Sequence, residues 1–166
     1  MAFIQCKKKG AGGGGAASEL EYFEDIYTNM PIIDFLNDSR FTCSDNGYPW
    51  TQQNIFQYDG VNMWSPPPVP DDVTGRETIV NNTDKPIFFK VAYAASSENG
   101  CDWLNVIVNG YYIVYQVSGY NPDVSGITGV VCIPAGATMY LEYRKDRSAT
   151  RGLDRVGVIL YEVGGV

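Results

Sequence analysis

The chain has 166 residues, a net charge of −7, 45% hydrophobic residues and no histidine. That size fits one ordinary domain plus an extension, and the hydrophobic share is large enough for a real core. The acid excess argues against nucleic acid as a partner, because binding phosphates means displacing counterions with Lys and Arg. Without histidine there is no Ser-His-Asp or Cys-His arrangement, and the commonest metal ligand is missing.

The first residues, Met-Ala-Phe-Ile-Gln-Cys-Lys-Lys-Lys, lack the basic start and the apolar stretch of about 7–15 residues that mark a secretory signal. No apolar run approaches the roughly 20 residues of a membrane span. The expectation is a protein made in the cytoplasm and not inserted into a membrane. Residues 1–17 read as an anchoring arm. Phe3 and Ile4 are its large apolar side chains after the initiator, Lys7, Lys8 and Lys9 follow, and Gly10 to Gly15 hold five glycines. Such a run is flexible alone, since glycine loses the most backbone entropy on ordering. It calls for a neighbouring subunit, a larger assembly or a groove on its own domain.

A connecting region, 18–75, comes next. Ser18 and Glu21 have the capping-box spacing, and Leu20, Phe23, Tyr27 and Met30 recur at the helical period. Pro31 ends this helix or opens a second turn through Ile32, Ile33, Phe35 and Leu36. From residue 41 the pattern turns to β. Ile55 to Tyr58, Asp59-Gly60 and Val61 to Trp64 form a hairpin in which Tyr58 opposes Val61 and Phe56 opposes Met63. The proline-rich stretch Ser65 to Pro70 is expected to be an extended linker and a boundary.

Residues 76–166 form the head. Glu77 to Asn81, Pro86 to Ala94, Val130 to Ile133, Met139 to Tyr143 and Val156 to Val163 are strand candidates. Trp103 to Val108, Asn109-Gly110 and Tyr111 to Val117 give the clearest hairpin there. Leu104, Val106 and Val108 are expected to face Tyr115, Ile113 and Tyr111. The other face would hold Trp103, Ile107, Tyr112 and Val114, and both faces would be covered. Short strands with regular turns predict a mainly β chain, an antiparallel β-sandwich or jelly roll, preceded by the short helical segment and the Gly-rich arm.

Chemistry-bearing patterns are sparse. Gly10-x-Gly12-x-x-Gly15, with Asp34 further on, satisfies the dinucleotide fingerprint, but a run of five glycines does so by itself and no βαβ units follow. Asp71, Asp72 and Asp102 are acids near expected loops, without the pairing that glycoside chemistry needs. Ser44, Asp45 and Asn46 before Gly47 read as a side-chain-closed turn rather than a calcium loop. Cys6, Cys43, Cys101 and Cys132 are scattered, with no C-x-x-C pair for zinc or redox work. Arg144, Lys145, Arg147, Arg151 and Arg155 suggest a solvated basic loop or a contact with an acidic partner. The 12 tyrosines and Trp50, Trp64 and Trp103 suit cores, subunit interfaces or sugar stacking. Tyr120, Asn121 and Asp123, in an expected loop, are the candidate ligand contacts. Catalysis and cofactors are not expected.

Val130-Val131-Cys132-Ile133-Pro134-Ala135-Gly136-Ala137-Thr138-Met139-Tyr140-Leu141, followed after a gap by Gly157-Val158-Ile159-Leu160-Tyr161, resembles the ending of small trimeric jelly-roll heads. Complement-type and tumour-necrosis-factor-like heads end similarly, as do knob domains of tailed-bacteriophage fibres. The layout as a whole resembles a tailed-bacteriophage virion surface protein of the fibre-knob or head-decoration type. The resemblance covers about 90 residues and carries no functional residue across. It implies a non-enzymatic homotrimer in the virion. Phe3, Ile4, Lys7, Lys8 and Lys9 would anchor it to other virion proteins, and the head would contact a host-surface glycan or protein. The alternative is a free carbohydrate-binding β-sandwich module.

Overall fold

The computed structural model describes residues 30–164. The Gly-rich arm and the helix expected from Ser18, except for Met30, lie outside the described residues. The described chain is all β: eleven strands in two antiparallel sheets, with no helix among the described residues. The strands are β1 (Phe41–Asp45), β2 (Thr51–Tyr58), β3 (Val61–Ser65), β4 (Thr74–Asn81), β5 (Ile87–Ser97), β6 (Trp103–Val108), β7 (Tyr111–Val117), β8 (Gly119–Ile127), β9 (Val131–Ile133), β10 (Thr138–Arg144) and β11 (Arg155–Glu162). The five-stranded sheet runs β1-β4-β10-β6-β7. The six-stranded sheet runs β2-β3-β11-β5-β8, with β9 beside the first half of β5. From β3 onward the chain crosses between sheets at almost every connection. Only β6 to β7 and β8 to β9 stay within one sheet.

The inner faces meet over a single core that includes Trp50, Met63, Trp64, Ile79, Val91, Leu104, Val106, Leu141, Tyr143 and Ile159. Strand alternation builds it. On β4, Gly75, Glu77, Ile79 and Asn81 are buried between less buried neighbours. The core unites the two regions expected to be separate. β1 pairs with β4, β3 pairs with β11, and Trp50, Met63 and Trp64 pack with side chains from β4 to β11. The proline stretch is held against this body. Pro66 and Val69 are buried, and the Pro66 carbonyl accepts from Arg155 Nη2 at 2.6 Å. Prolines here cross from one sheet to the other rather than separating two units.

Residues 31–36 differ from the expected helical turn. The Ile33 N–H donates to Leu160 O and the Glu162 N–H to Pro31 O, both at 2.8 Å, so residues 31–33 extend the edge of β11 beyond β3. A turn closed on the Asp34 carbonyl follows. Arg40 then ties this turn to β11, with Nη1 and Nη2 on the two Glu162 carboxylate oxygens at 2.6 and 2.8 Å and Nε on Asp38.

Both expected hairpins form, each on a turn with two left-handed residues: Asp59 (φ 47°) with Gly60 (φ 74°), and Asn109 (φ 48°) with Gly110 (φ 83°). Away from the turns the registers shift. Tyr58 faces Val61 as expected, but β2 then leaves the ladder and rejoins it at Gln52 opposite Trp64, without a Phe56–Met63 pair. On β7, Tyr111 faces Val108, then Val114 faces Val106 and Val117 faces Leu104. Two extra residues on β7 account for this, and Gln116 takes φ 52° with its N–H on Asn105 Oδ1 at 2.8 Å.

Candidate functional site

The shifted register of β7 creates the most distinctive surface among the described residues. Paired residues of neighbouring strands point to the same side of a sheet. On the outer face of the five-stranded sheet, Tyr112, Ile107, Tyr140 and Thr78 therefore form one lateral row. Asn105, Glu142 and Arg76 form the next, and Trp103, Arg144 and Thr74 the third. The shift turns Val114 into the core and leaves Tyr115 outside. Its ring meets Tyr112 edge-on, with centroids 4.9 Å apart. Tyr112 and Tyr115 are 53% and 58% exposed, where a covered hairpin had been expected.

Polar groups between the aromatics are held in place. The Arg76 guanidinium donates to Glu142 Oε1 from Nε at 2.7 Å, with Nη2 2.5 Å from the same oxygen, and it lies 4.9 Å over the Tyr140 ring. Arg144 lies 5.3 Å over Trp103. Asn105 and Glu142 point outward and are nonetheless buried, flanked by these large side chains. The result is a platform with exposed tyrosine rings at its β7 side and Trp103 under Arg144 on its β6–β10 side. Its polar groups run from Asn105 on β6 across Glu142 on β10 to Arg76 on β4.

A second polar group lies at the sandwich end formed by the β10–β11 connection. Lys145 Nζ lies 2.5 Å from Asp154 Oδ2 and 3.1 Å from Asp71 Oδ1, with only 4% of its side chain exposed. Burial works against the ammonium, but its hydrogen bonds to the two carboxylates outweigh that and hold its pKa above the usual lysine range. Tyr143 donates to Asp154 Oδ1 at 2.6 Å. Asp102 is buried and accepts from the Asp146 N–H at 3.1 Å, and its burial raises its pKa. Of the basic stretch, Lys145 and Arg155 are turned inward and Arg144, Arg147 and Arg151 are exposed. Arg147 pairs with Asp72 at 2.7 Å, and Arg155 serves Gln53 and Pro66. Between Lys145 and Arg155, Arg147 to Leu153 are exposed, as expected of a solvated loop.

Glu98, Cys101 and Asp146 bring one ligand atom each within 4.8 Å of one another. Two of the three are engaged by the protein itself. The Ser148 hydroxyl donates to Glu98 Oε2 and the Ser148 N–H to Asp146 Oδ1, both at 2.7 Å. The turn at Asp45 behaves as its sequence suggests. The Gly47 N–H donates to Asp45 Oδ1 at 2.7 Å, Asn46 bridges to Thr74 and Arg76, and Gly47 has φ 95°.

Tyr120, Asn121 and Asp123 are exposed, but they lie within edge strand β8 rather than in a loop. Between Gly119, opposite Ser97, and Val124, opposite Ala95, β8 carries three residues more than its partner, so this stretch bulges from the ladder. Tyr120 packs beside Gly152, whose missing side chain makes the space: a Cβ there would lie 2.8 Å from that of Tyr120. These residues belong to the six-stranded sheet and lie apart from the aromatic platform. Phe3, Ile4, Lys7, Lys8 and Lys9 lie outside the described residues. Sequence reasoning grouped Trp103, Ile107 and Tyr112 on one face but missed Tyr115, Tyr140, Arg76 and Arg144. The pairing of β10 with β6 that unites them joins segments about 35 residues apart.

No family model matches the chain, and no curated protein matches it. Among solved structures it is similar to the structure of CBM35 from Paenibacillus barcinonensis, at 13% identity over 70% of this chain and 97% of that one, with a TM-score of 0.34.

Proposed function

We propose that this chain is a non-enzymatic recognition protein with a jelly-roll head, a virion surface protein of the receptor-binding kind whose aromatic platform takes a host-surface glycan. The platform carries this reading. Its exposed Tyr112 and Tyr115 rings suit the C–H faces of sugar rings, and the exposed Arg76 and Arg144 supply donors for hydroxyls, Arg76 being fixed by Glu142. The strand order supports the jelly-roll assignment. β3-β11-β5-β8 over β4-β10-β6-β7, with the chain alternating between them, is a double Greek key with β1 and β2 added at the edges. That fold serves viral surface and lectin-like domains alike, so the function rests on the face and not on the fold.

The test is binding of the full chain to a panel of immobilised glycans, with Trp103→Ala and Tyr115→Ala as variants. Binding that falls about 5–10-fold or more in each variant is expected, since an aromatic contact contributes on the order of 1 kcal/mol. A chain that binds no glycan, or binds equally well in both variants, overturns the reading. A free carbohydrate-binding module uses the same platform. It is distinguished by failing to attach to virus particles, whereas a virion protein attaches and loses attachment when residues 1–17 are removed.

A further inference from the structure

We infer that residues 18–29 of this chain pack across the outer face of the six-stranded sheet, and that Cys6 is bonded there to Cys132 of β9. Paired residues share a face of a sheet. Trp64, Val158, Tyr93 and Gly126 form one row of this one. That row faces the five-stranded sheet: the Trp64 and Phe35 rings have centroids 5.5 Å apart, and the Phe35 carbonyl accepts from Cys43 of β1. Ala92, Lys90 and Phe88 each stand an odd number of residues from Tyr93 on β5, so they point to the other side, with Tyr161 beside Lys90 and Cys132 beside Phe88. An outer face ordinarily meets water. Here Ala92 is 0%, Cys132 1% and Tyr161 8% exposed. The described residues form two sheets, so no strand among them lies over this face. Phe56, beside Gly157, and Tyr58, edge-on to Tyr161, cover only its side toward β3.

Two independent observations name the occupant. The chain enters the described body at this face: Ile32 is bridged to Tyr161 and shares its side, and Met30 packs against the core. The segment just before Met30 carries Leu20, Phe23 and Tyr27 at the helical period, with Glu19, Glu21, Glu24 and Asp25 between them. An apolar stripe next to a buried apolar face gives each its partner, and Lys90 adds to the face a charge opposite to those acids. The cysteines point the same way. Cys132 is held in a disulfide while Cys43 and Cys101 are free thiols, so of the four cysteines only Cys6 remains. Reach is ample, since residues 7–17 at about 3.3 Å each exceed the roughly 10 Å from β11 across β5 to β9. The bond forms by exchange: two thiols give up two protons and two electrons to a small-molecule disulfide, which leaves as two thiols. The platform lies on the other sheet, so the inference does not depend on what it binds.

The full chain, kept with oxidised glutathione, is digested without reduction and read by mass spectrometry. A Cys6–Cys132 peptide pair is expected from protein that runs as a single chain on a non-reducing gel. Hydrogen exchange then tests the packing. Amides of residues 18–29 should exchange at least tenfold more slowly in the full chain than in a free peptide of that sequence. They should stay slow in Cys6→Ser, because the apolar face holds the segment without the bond. Phe23→Asp added to Cys6→Ser should release them while β4, β6 and β10 keep their protection. Cys132 found as a thiol, Cys132 joined to any other cysteine or to another chain, or residues 18–29 exchanging at the peptide rate in the full chain overturns the inference.

Discussion

Lys145 and Asp154 stand at opposite ends of the β10–β11 connection, next to strands of different sheets, and their charged atoms are 2.5 Å apart. This ion pair, with Asp71 and the Tyr143 hydroxyl around it, closes one end of the sandwich. Removing one partner of a buried pair strands the other. Lys145→Met is therefore expected to destabilise the fold by roughly 2–3 kcal/mol, below the usual cost of about 3–5 kcal/mol for a fully buried pair, because Asp154 and Asp71 are partly exposed. Lys145→Met combined with Asp154→Asn should recover part of the loss. Urea titrations of the three proteins measure both effects.

Glu77 gives the pH dependence a sign. Its carboxylate is buried, accepts one hydrogen bond from the Trp50 N–H at 3.0 Å, and has its pKa raised above 4.5 mainly by burial. As pH rises past 4.5, the unfolded chain releases this proton before the folded one does. The group's contribution to stability is thus complete below that pH and is lost as pH climbs through the folded value. Glu77→Gln, which keeps an acceptor for Trp50, should be more stable than the parent at pH 7, and the gain should shrink toward pH 4.5. Denaturation midpoints between pH 4 and 8 measure it.

Gly157 on β11 is required by packing. A Cβ there would lie 2.9 Å from Met63 Cβ and 3.2 Å from Phe56. Gly157→Ala should cost about 1–3 kcal/mol through overpacking. Met63→Gly in the same chain removes that Cβ and should relieve part of the strain, so thermal unfolding of the pair is expected to be non-additive.

Cys43 is a half-buried thiol that donates to the Phe35 carbonyl at 3.2 Å, with its pKa pushed up to about 12 mainly by burial. It should resist alkylation at pH 8 in the folded protein and react on unfolding. Mass spectrometry of iodoacetamide-treated protein, native and in denaturant, reads this out. Rapid native labelling at Cys43 would contradict its placement.

Elements with local causes were legible in the chain. Asp59-Gly60 and Asn109-Gly110 announce their hairpins because few residues accept two successive left-handed positions. The Ile133 to Thr138 turn forms as its composition suggests, with the Gly136 N–H on Asn81 O at 2.9 Å. β8 was not legible. Asn121, Pro122 and Asp123 read as loop, and an edge strand tolerates them because one side of its backbone has no partner to satisfy. The role of the proline stretch was hidden too, since what it packs against, Arg155, lies about 90 residues away.

By itself, then, the sequence determined a mainly β, antiparallel body with tight turns at known positions, because alternation and turn chemistry act within a few residues. Only the tertiary structure decided which tyrosines face water. That outcome depends on two extra residues in β7, and a one-residue shift exchanges the faces of a strand. The same long-range pairing of β4, β10 and β6 set Arg76 over Tyr140 and Arg144 over Trp103. No local pattern encodes which strands become neighbours. The core settles that, by burying one face of each strand and leaving the other as the platform.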